Sequence, residues 1–342
     1  MNGNQSIKTF DDFWRDTMDC WQRLPNKTFF FVLLAGWLAL FQFLGNSILG
    51  YVHTPSLFLW MYDAYNPVGG QESDDSHGNF IPLLVVGIFW WKRHELLTSQ
   101  FKLWIPGLFI LVLGIVLHIL AYTLQLPHFS IVALFIGIYG LMGLAWGPQW
   151  LRKSIFPFFL FIFSVPLGQH GTVITFPLQM LVTRLVELTA HIFGIGVLRS
   201  GTELFDPSGS FQYDVAPACS GIRSLMAFFL LTTVYGFFCF EKGWKRLLFM
   251  ALAVPLAIMG NMLRLLMVIT AAVIGGQKLG DFFHDNFFTS LVSYVPVFIV
   301  LFLVARWLEY SDRASIWTCW KRLCLFLMGR RPENREAQPV QK

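Results

Sequence analysis

The chain has 342 residues, of which 55% are hydrophobic and 13% charged, with a mean hydropathy of +0.57. Ordinary soluble domains carry about 25% charged residues, so the composition excludes a soluble globular class and predicts an all-α polytopic membrane protein. The net charge of +5 is read as a topology signal, and no nucleic-acid partner is expected.

Apolar runs fall near residues 28–49, 79–91, 103–124, 129–148, 154–168, 222–240, 246–275 and 287–305. A membrane helix needs roughly 17–25 apolar residues, so the runs predict about eight crossings, with 79–91 and 154–168 the shortest. Residues 1–27 are polar and of mixed charge, unlike a cleavable signal, and the first apolar run is expected to be an uncleaved anchor. Three regions are expected: a cytoplasmic segment 1–27, a transmembrane domain 28–305, and an amphipathic then disordered cytoplasmic tail 306–342. Lys92, Arg93, Lys102, Arg152, Lys153, Lys242, Lys245, Arg246 and Arg306 fall on the side of both termini. The opposite loops are acidic. The positive-inside rule therefore places both termini in the cytoplasm of a multi-pass plasma-membrane protein surrounded by lipid bilayer.

Between the crossings, residues 50–78 are acidic and Gly-rich. Residues 176–194 predict an interfacial helix, with Arg184, Glu187 and His191 spaced three and four apart. Arg184 and Glu187 are expected to pair along it. Turn signals in 197–215 predict a small β-hairpin. Gly137, Gly140, Gly143 and Gly147 form a small-residue face suited to close helix packing. The five cysteines at 20, 219, 239, 319 and 324 are scattered, so neither a metal spacing nor a disulfide framework is expected.

The polar island 214–225, Asp-Val-Ala-Pro-Ala-Cys-Ser-Gly-Ile-Arg-Ser-Leu, stands between apolar stretches. Cys219 lies just before a membrane helix, Ser220 and Gly221 suit the cap, and Arg223 follows one turn on. The helix dipole and the guanidinium both favour a thiolate. Arg264 sits inside the run 246–275, one turn after Asn261, where a guanidinium costs a few kcal/mol to insert. His284 precedes the last crossing. At about 1.5 Å per residue, Cys219 lies roughly 33 Å from Glu241, Arg264 about 27 Å from Arg246, and His284 about 33 Å from Arg306. All three reach one depth near the outer boundary of a hydrocarbon core about 30 Å thick.

A thiolate, an imidazole and a fixed guanidinium at one depth suit acyl transfer: nucleophile, proton carrier and oxyanion partner. Each residue also has a structural reading. Cys219 fills apolar space, Arg264 snorkels to headgroups, and His284 caps the last helix. His77, His170, Arg184, Glu187, His191 and Arg223 fall on the same outer side. No His-Glu-x-x-His, Gly-x-Ser-x-Gly or phosphate loop occurs, so no metal or cofactor is expected. A rival reading is a solute transporter or channel with Arg264 lining the path. Such a protein should carry repeated halves, and no repeat is visible.

The stretch Val-Ala-Pro-Ala-Cys219-Ser-Gly-Ile-Arg-Ser-Leu, then Asn261-Met-Leu-Arg264, then His284, resembles the exosortases, relatives of the archaeosortases. The segments Phe-Pro-Phe-Phe, Val-Pro-Leu, Phe-Pro-Leu-Gln and Gly-Ile-Gly-Val-Leu-Arg-Ser-Gly, with Ser76-His77-Gly78 ahead of the second helix, fit the same family over residues 70 to 305. The resemblance implies a cysteine transpeptidase or protease with Cys219 as nucleophile, Arg264 as the essential arginine and His284 in a third position, as in bacterial members. Arg223, Asn261, Ser220 and His77 would support the site or the substrate. The substrates it implies are secreted proteins whose C-terminal sorting signal is a short Pro-Glu-Pro-like motif, a membrane helix and a basic tail. They would be cut on the outer face of the inner membrane and passed to an acceptor. Pro217 departs from the acidic residue often found before Ala-Cys.

Overall fold

The structure is a computed structural model and describes residues 10–50, 52–67, 73–167, 172–214 and 222–310. It is helical apart from one small sheet, as the composition predicts. The chain divides into two compact units at residues 166–167, each described by itself.

The first unit contains α1 (Phe10–Arg23), α2 (Lys27–Leu44), α3 (Leu57–Tyr65), a 3-10 turn (Ser76–Asn79), α4 (Ile81–Leu97), α5 (Pro106–Thr123), α6 (Pro127–Trp146), α7 (Pro148–Phe159) and a second 3-10 turn (Leu160–Ser164). Pro opens α5, α6 and α7, where its missing N–H costs nothing and its fixed φ suits the first turn. The core is aromatic and aliphatic, built on Trp37, Phe41, Ile131, Leu134 and Trp146. Trp37 Nε1 donates to the Leu134 carbonyl at 3.0 Å, so the indole is satisfied while buried. His118 Nε2 donates to the Leu44 carbonyl at 3.1 Å and its Nδ1 lies 3.2 Å from Ser130 Oγ. One imidazole thereby ties α2, α5 and α6.

The second unit contains α8 (Thr172–Ile192), β1 (Leu198–Ser200), β2 (Glu203–Phe205), β3 (Gln212–Asp214), α9 (Ile222–Cys239), α10 (Gly243–Ala251), α11 (Ala253–Asp285) and α12 (Phe287–Tyr310). The predicted hairpin is a three-stranded antiparallel sheet in the order β1-β2-β3, with Arg199 opposite Leu204 and Leu204 opposite Tyr213. Leu204 and Phe211 are buried with Val182, Val186 and Ala190 of α8 and Leu265, Ile269 and Ala272 of α11. Each such side chain contributes at most about 1.5–3 kcal/mol. His191 Nε2 lies 2.8 Å from the Val197 carbonyl, which closes α8 onto the strand that follows. At the other end of α9, buried Lys245 donates to the Leu308 carbonyl at 2.7 Å, and Tyr235 donates to Glu309 at 2.9 Å. These bonds join α9, α10 and α12.

Six helices among the described residues are long and apolar enough to cross a membrane: Lys27–Leu44, Pro106–Thr123, Pro127–Trp146, Ile222–Cys239, Gly243–Asp285 and Phe288–Glu309. The two shortest apolar runs form α4, of 17 residues, and α7 with its trailing 3-10 turn. Three details differ from the sequence reading. Residues 10–23 form a helix within the segment read only as polar. Glu187 pairs with Arg199 at 3.2 Å, not with Arg184, because β1 brings a guanidinium across the face of α8. Cys239 is disulfide-bonded. Cys20 is free.

Candidate active site

The site is built on a break in α11. Gly275 and Gly276 leave helical geometry there, Gly276 with φ +74° and ψ −179°. That combination is open in practice only to glycine. The helix does not continue straight past them; it doubles back. Arg264 Nη2 donates to the His284 carbonyl at 3.2 Å, although a straight helix would separate the two by about 30 Å. A Cβ on Gly280 would lie 2.8 Å from Ala272 Cβ. Both pairs centre on residues 274–276, so residues 277–285 form a returning limb packed antiparallel on the first.

The sheet holds this limb down. Tyr213 Oη donates to the Gln277 carbonyl at 3.3 Å, and the Gln212 amide donates to Gln277 Oε1 at 3.1 Å. The same tyrosine oxygen would be 2.0 Å from a Cβ at position 280, so Gly280 is the residue that lets the limb close on β3. Burial and the Asp281 and Asp285 carboxylates push the Tyr213 hydroxyl up to about 12, so it stays a donor at neutral pH. A groove of about 670 Å³ opens beside the limb, lined by Glu203, Asp206, Phe211, Gln212 and Gln277 among others. Asp206 on its rim accepts hydrogen bonds from the Ser208 and Ser210 hydroxyls, which hold its carboxyl below the usual range.

The structure thus brings together two of the three residues on which the acyl-transfer reading rests. Arg264 is half-buried, and its Nε is buried without a hydrogen-bond partner among the described residues. Asn261, one turn earlier on α11, is buried. His284 is one-third exposed, and its Nδ1 lies 2.8 Å from Asp285 Oδ1. That contact favours the tautomer with the proton on Nδ1 and leaves Nε2 as the basic nitrogen. His284 stands at the end of the returning limb, which closes at Asp285, one residue before α12.

Cys219 and Ser220 lie outside the described residues, as does His170. The chain on either side of them is described: β3 ends at Asp214 beside the returning limb, and α9 begins at Ile222 with Arg223 in its first turn. His77 lies in the first unit, in the 3-10 turn ahead of α4. Burial lowers its pKa against the opposing pull of Asp75, and its Nε2 is buried without a hydrogen-bond partner among the described residues. Tyr213, Gln277 and Gly276 were missed from the sequence. The Gly-Gly pair closing the run 246–275 was the available signal for the break.

A guanidinium in such a place is able to hold an anion; its observed contact is to the backbone of the residue that carries the imidazole. No curated protein and no solved structure matches the chain. A family model described as transmembrane exosortase matches residues 69–303, and the chain belongs to that family.

Proposed function

We propose that this exosortase is a membrane cysteine transpeptidase in which Cys219 is the nucleophile, Arg264 the anion-stabilising cation and His284 the proton carrier. The observation that supports it most is the 3.2 Å contact between the Arg264 guanidinium and the His284 backbone across the α11 hairpin. Two polar residues 20 positions apart are held together, Arg264 on the first limb and His284 on the returning limb, which packs against the strand leading to Cys219.

The reaction follows from those groups. The Cys219 thiol gives its proton to the imidazole, and the thiolate attacks a peptide carbonyl of the substrate. The oxyanion that forms is stabilised by the guanidinium. As the C–N bond breaks, the imidazolium protonates the leaving amine, and the acyl group remains on sulfur as a thioester. An acceptor amine or water then attacks, giving its proton to the imidazole. The C–S bond breaks, and the thiol is restored when that proton returns to sulfur. Asn261 and Arg223 support the site, Ser220 shapes the loop around the sulfur, and His77 binds or orients substrate. The substrates are secreted proteins ending in a short Pro-Glu-Pro-like motif, a membrane helix and a basic tail. The cut falls on the outer face of the bacterial inner membrane, with both termini of the enzyme in the cytoplasm.

A returning helix limb is also a device of secondary transporters, so the test must separate the two readings. A tagged secreted protein carrying such a sorting signal is co-expressed with the full-length enzyme and its Cys219→Ala variant. Processing is expected to stop in the variant at unchanged enzyme level. Membrane-impermeant thiol labelling in spheroplasts is expected to reach Cys219. Continued processing in Cys219→Ala removes the nucleophile assignment, and failure to label Cys219 removes the assigned face.

A further inference from the structure

The first unit holds a second cluster of titratable groups, which acyl transfer at Cys219 does not use. Asp16 and Cys20 are four residues apart on α1 and therefore share a face. His94 stands in the last turn of α4. Its Nε2 lies 3.1 Å from Asp16 Oδ1 and its Nδ1 lies 4.0 Å from Cys20 Sγ. One ligand atom from each of the three residues lies within 4.8 Å of the other two, and all three residues are half-buried.

The faces that carry these groups are fixed by their neighbours. Arg93 Nε donates to Asp16 Oδ2 at 2.7 Å, and Arg93 Nη2 donates to the same oxygen, so Oδ1 is turned to His94. The Arg93 guanidinium sits 3.8 Å over the Trp90 ring. Trp90 in turn donates to Thr17 Oγ1 at 3.3 Å and packs on Phe13 with ring centroids 4.9 Å apart. Two helices are thus locked together where the three donors meet, the kind of support a ligand site needs.

We propose that Asp16, Cys20 and His94 form a binding site for one divalent cation of the zinc class. A thiolate, an imidazole and a carboxylate are the donor set such an ion takes, whereas calcium and magnesium want oxygen alone. Ligand bonds of about 2.3 Å to sulfur and 2.0–2.1 Å to nitrogen put a tetrahedral S···N pair roughly 3.5 Å apart; the imidazole, which now meets Cys20 through Nδ1 and Asp16 through Nε2, must rotate so that one nitrogen, the thiolate and the carboxylate face a common ion. Arg93 keeps Asp16 Oδ2 while Oδ1 turns to the ion. Burial and the Asp16 carboxylate raise the Cys20 thiol above its ordinary pKa, so binding must drive the thiol proton into solvent. Three protein ligands leave a fourth position for water, and the ion joins α1 to α4.

The full-length protein, purified in detergent and stripped with chelator, is titrated with Co²⁺ as the probe. One equivalent should bind, with a thiolate-to-cobalt charge-transfer band in the near ultraviolet that Zn²⁺ abolishes. Cys20→Ser should remove the band. His94→Gln should weaken binding by more than about tenfold, the least that even an outer-shell substitution costs. Alkylation of Cys20, followed by mass spectrometry in the unmutated protein, should slow with Zn²⁺ and not with Mg²⁺; this readout needs no variant to fold. A band of unchanged strength in Cys20→Ser, or a Cys20 alkylation rate indifferent to Zn²⁺, overturns the site. Neither readout involves peptide processing, so its failure is distinct from failure of the proposed transpeptidase.

Discussion

The two units associate their helices by opposite means. In the first, α5 and α6 meet backbone to backbone. A Cβ on Gly140 would lie 2.7 Å from the Leu111 nitrogen and 2.9 Å from the Gly107 carbonyl oxygen, and one on Gly114 would lie 3.1 Å from the Gly137 nitrogen. Small residues let helices approach this closely in lipid, where the hydrophobic effect gives no drive to associate. In the second, α11 is held to α8 and the sheet by an apolar cluster and to the sheet by polar bridges through Gln277, Gln212 and Tyr213, while Arg264 ties its two limbs together. That unit carries a positive-φ break inside a helix and an arginine whose buried Nε has no hydrogen-bond partner among the described residues. Rigid close packing marks the first unit as scaffold. Strained backbone and buried polar atoms occur in both units, at Gly147 and His77 in the first; what sets the second apart is an arginine inside a helix long and apolar enough to cross a membrane, a costly group that marks where chemistry is expected.

Substitutions in each unit test this contrast. The largest effect is expected in the scaffold. At Gly137 a Cβ would lie 1.9 Å from the Trp37 ring, and that ring is buried and hydrogen-bonded, so it cannot step aside. Gly137→Leu should cost more than the roughly 1–3 kcal/mol of ordinary overpacking, and the protein should fail to elute as a monodisperse detergent species. Arg264→Lys should leave elution and helicity intact while lowering processing by about 10²-fold or more, the scale of losing one oxyanion partner. Lysine keeps the charge but loses the fork that reaches the His284 carbonyl. A processing rate within a few-fold of the unmutated enzyme would make Arg264 a structural residue.

Smaller effects are expected from the hairpin itself. Gly276→Ala should destabilise the α11 turn by about 1–3 kcal/mol, seen as faster hydrogen exchange of residues 277–285 with no change in the first unit. Smallest is Tyr213→Phe, which removes one hydrogen bond to Gln277, worth about 1 kcal/mol. It should loosen the returning limb locally and slow processing modestly. Equal exchange changes in both units for either variant would contradict the contrast between scaffold and site.

Most of the long apolar helices of both units were legible in the sequence, because apolar length is the signal that defines a membrane helix. The runs 103–124, 129–148 and 222–240 became Pro106–Thr123, Pro127–Trp146 and Ile222–Cys239, each border within three residues. The returning limb was not legible. Residues 277–285 include Gln277, Lys278, Asp281, His284 and Asp285, which read as a loop, and their helix depends on packing against β3 and the first limb. Likewise α1 is amphipathic with aromatic residues at Phe10, Phe13, Trp14 and Trp21, a pattern masked by its charges. The level shared by Arg264 and His284 could be estimated from helix rise, but not the hairpin that produces it. The partner of Glu187 was misread because the chain turns back after α8, and β1 brings Arg199, twelve residues on, to the carboxylate.

The central claim is that a sulfur nucleophile works beside the Arg264 and His284 pair, and trapping the acyl-enzyme tests it most directly. Membranes containing the full-length protein and a tagged sorting-signal substrate are quenched in acid, and Cys219 peptides are read by mass spectrometry. The account predicts a substrate-derived acyl group on Cys219, released by hydroxylamine, absent from Cys219→Ala and strongly reduced in Arg264→Lys. Substrate cleaved at full rate with no adduct on Cys219, and with Cys219→Ala equally active, would contradict it.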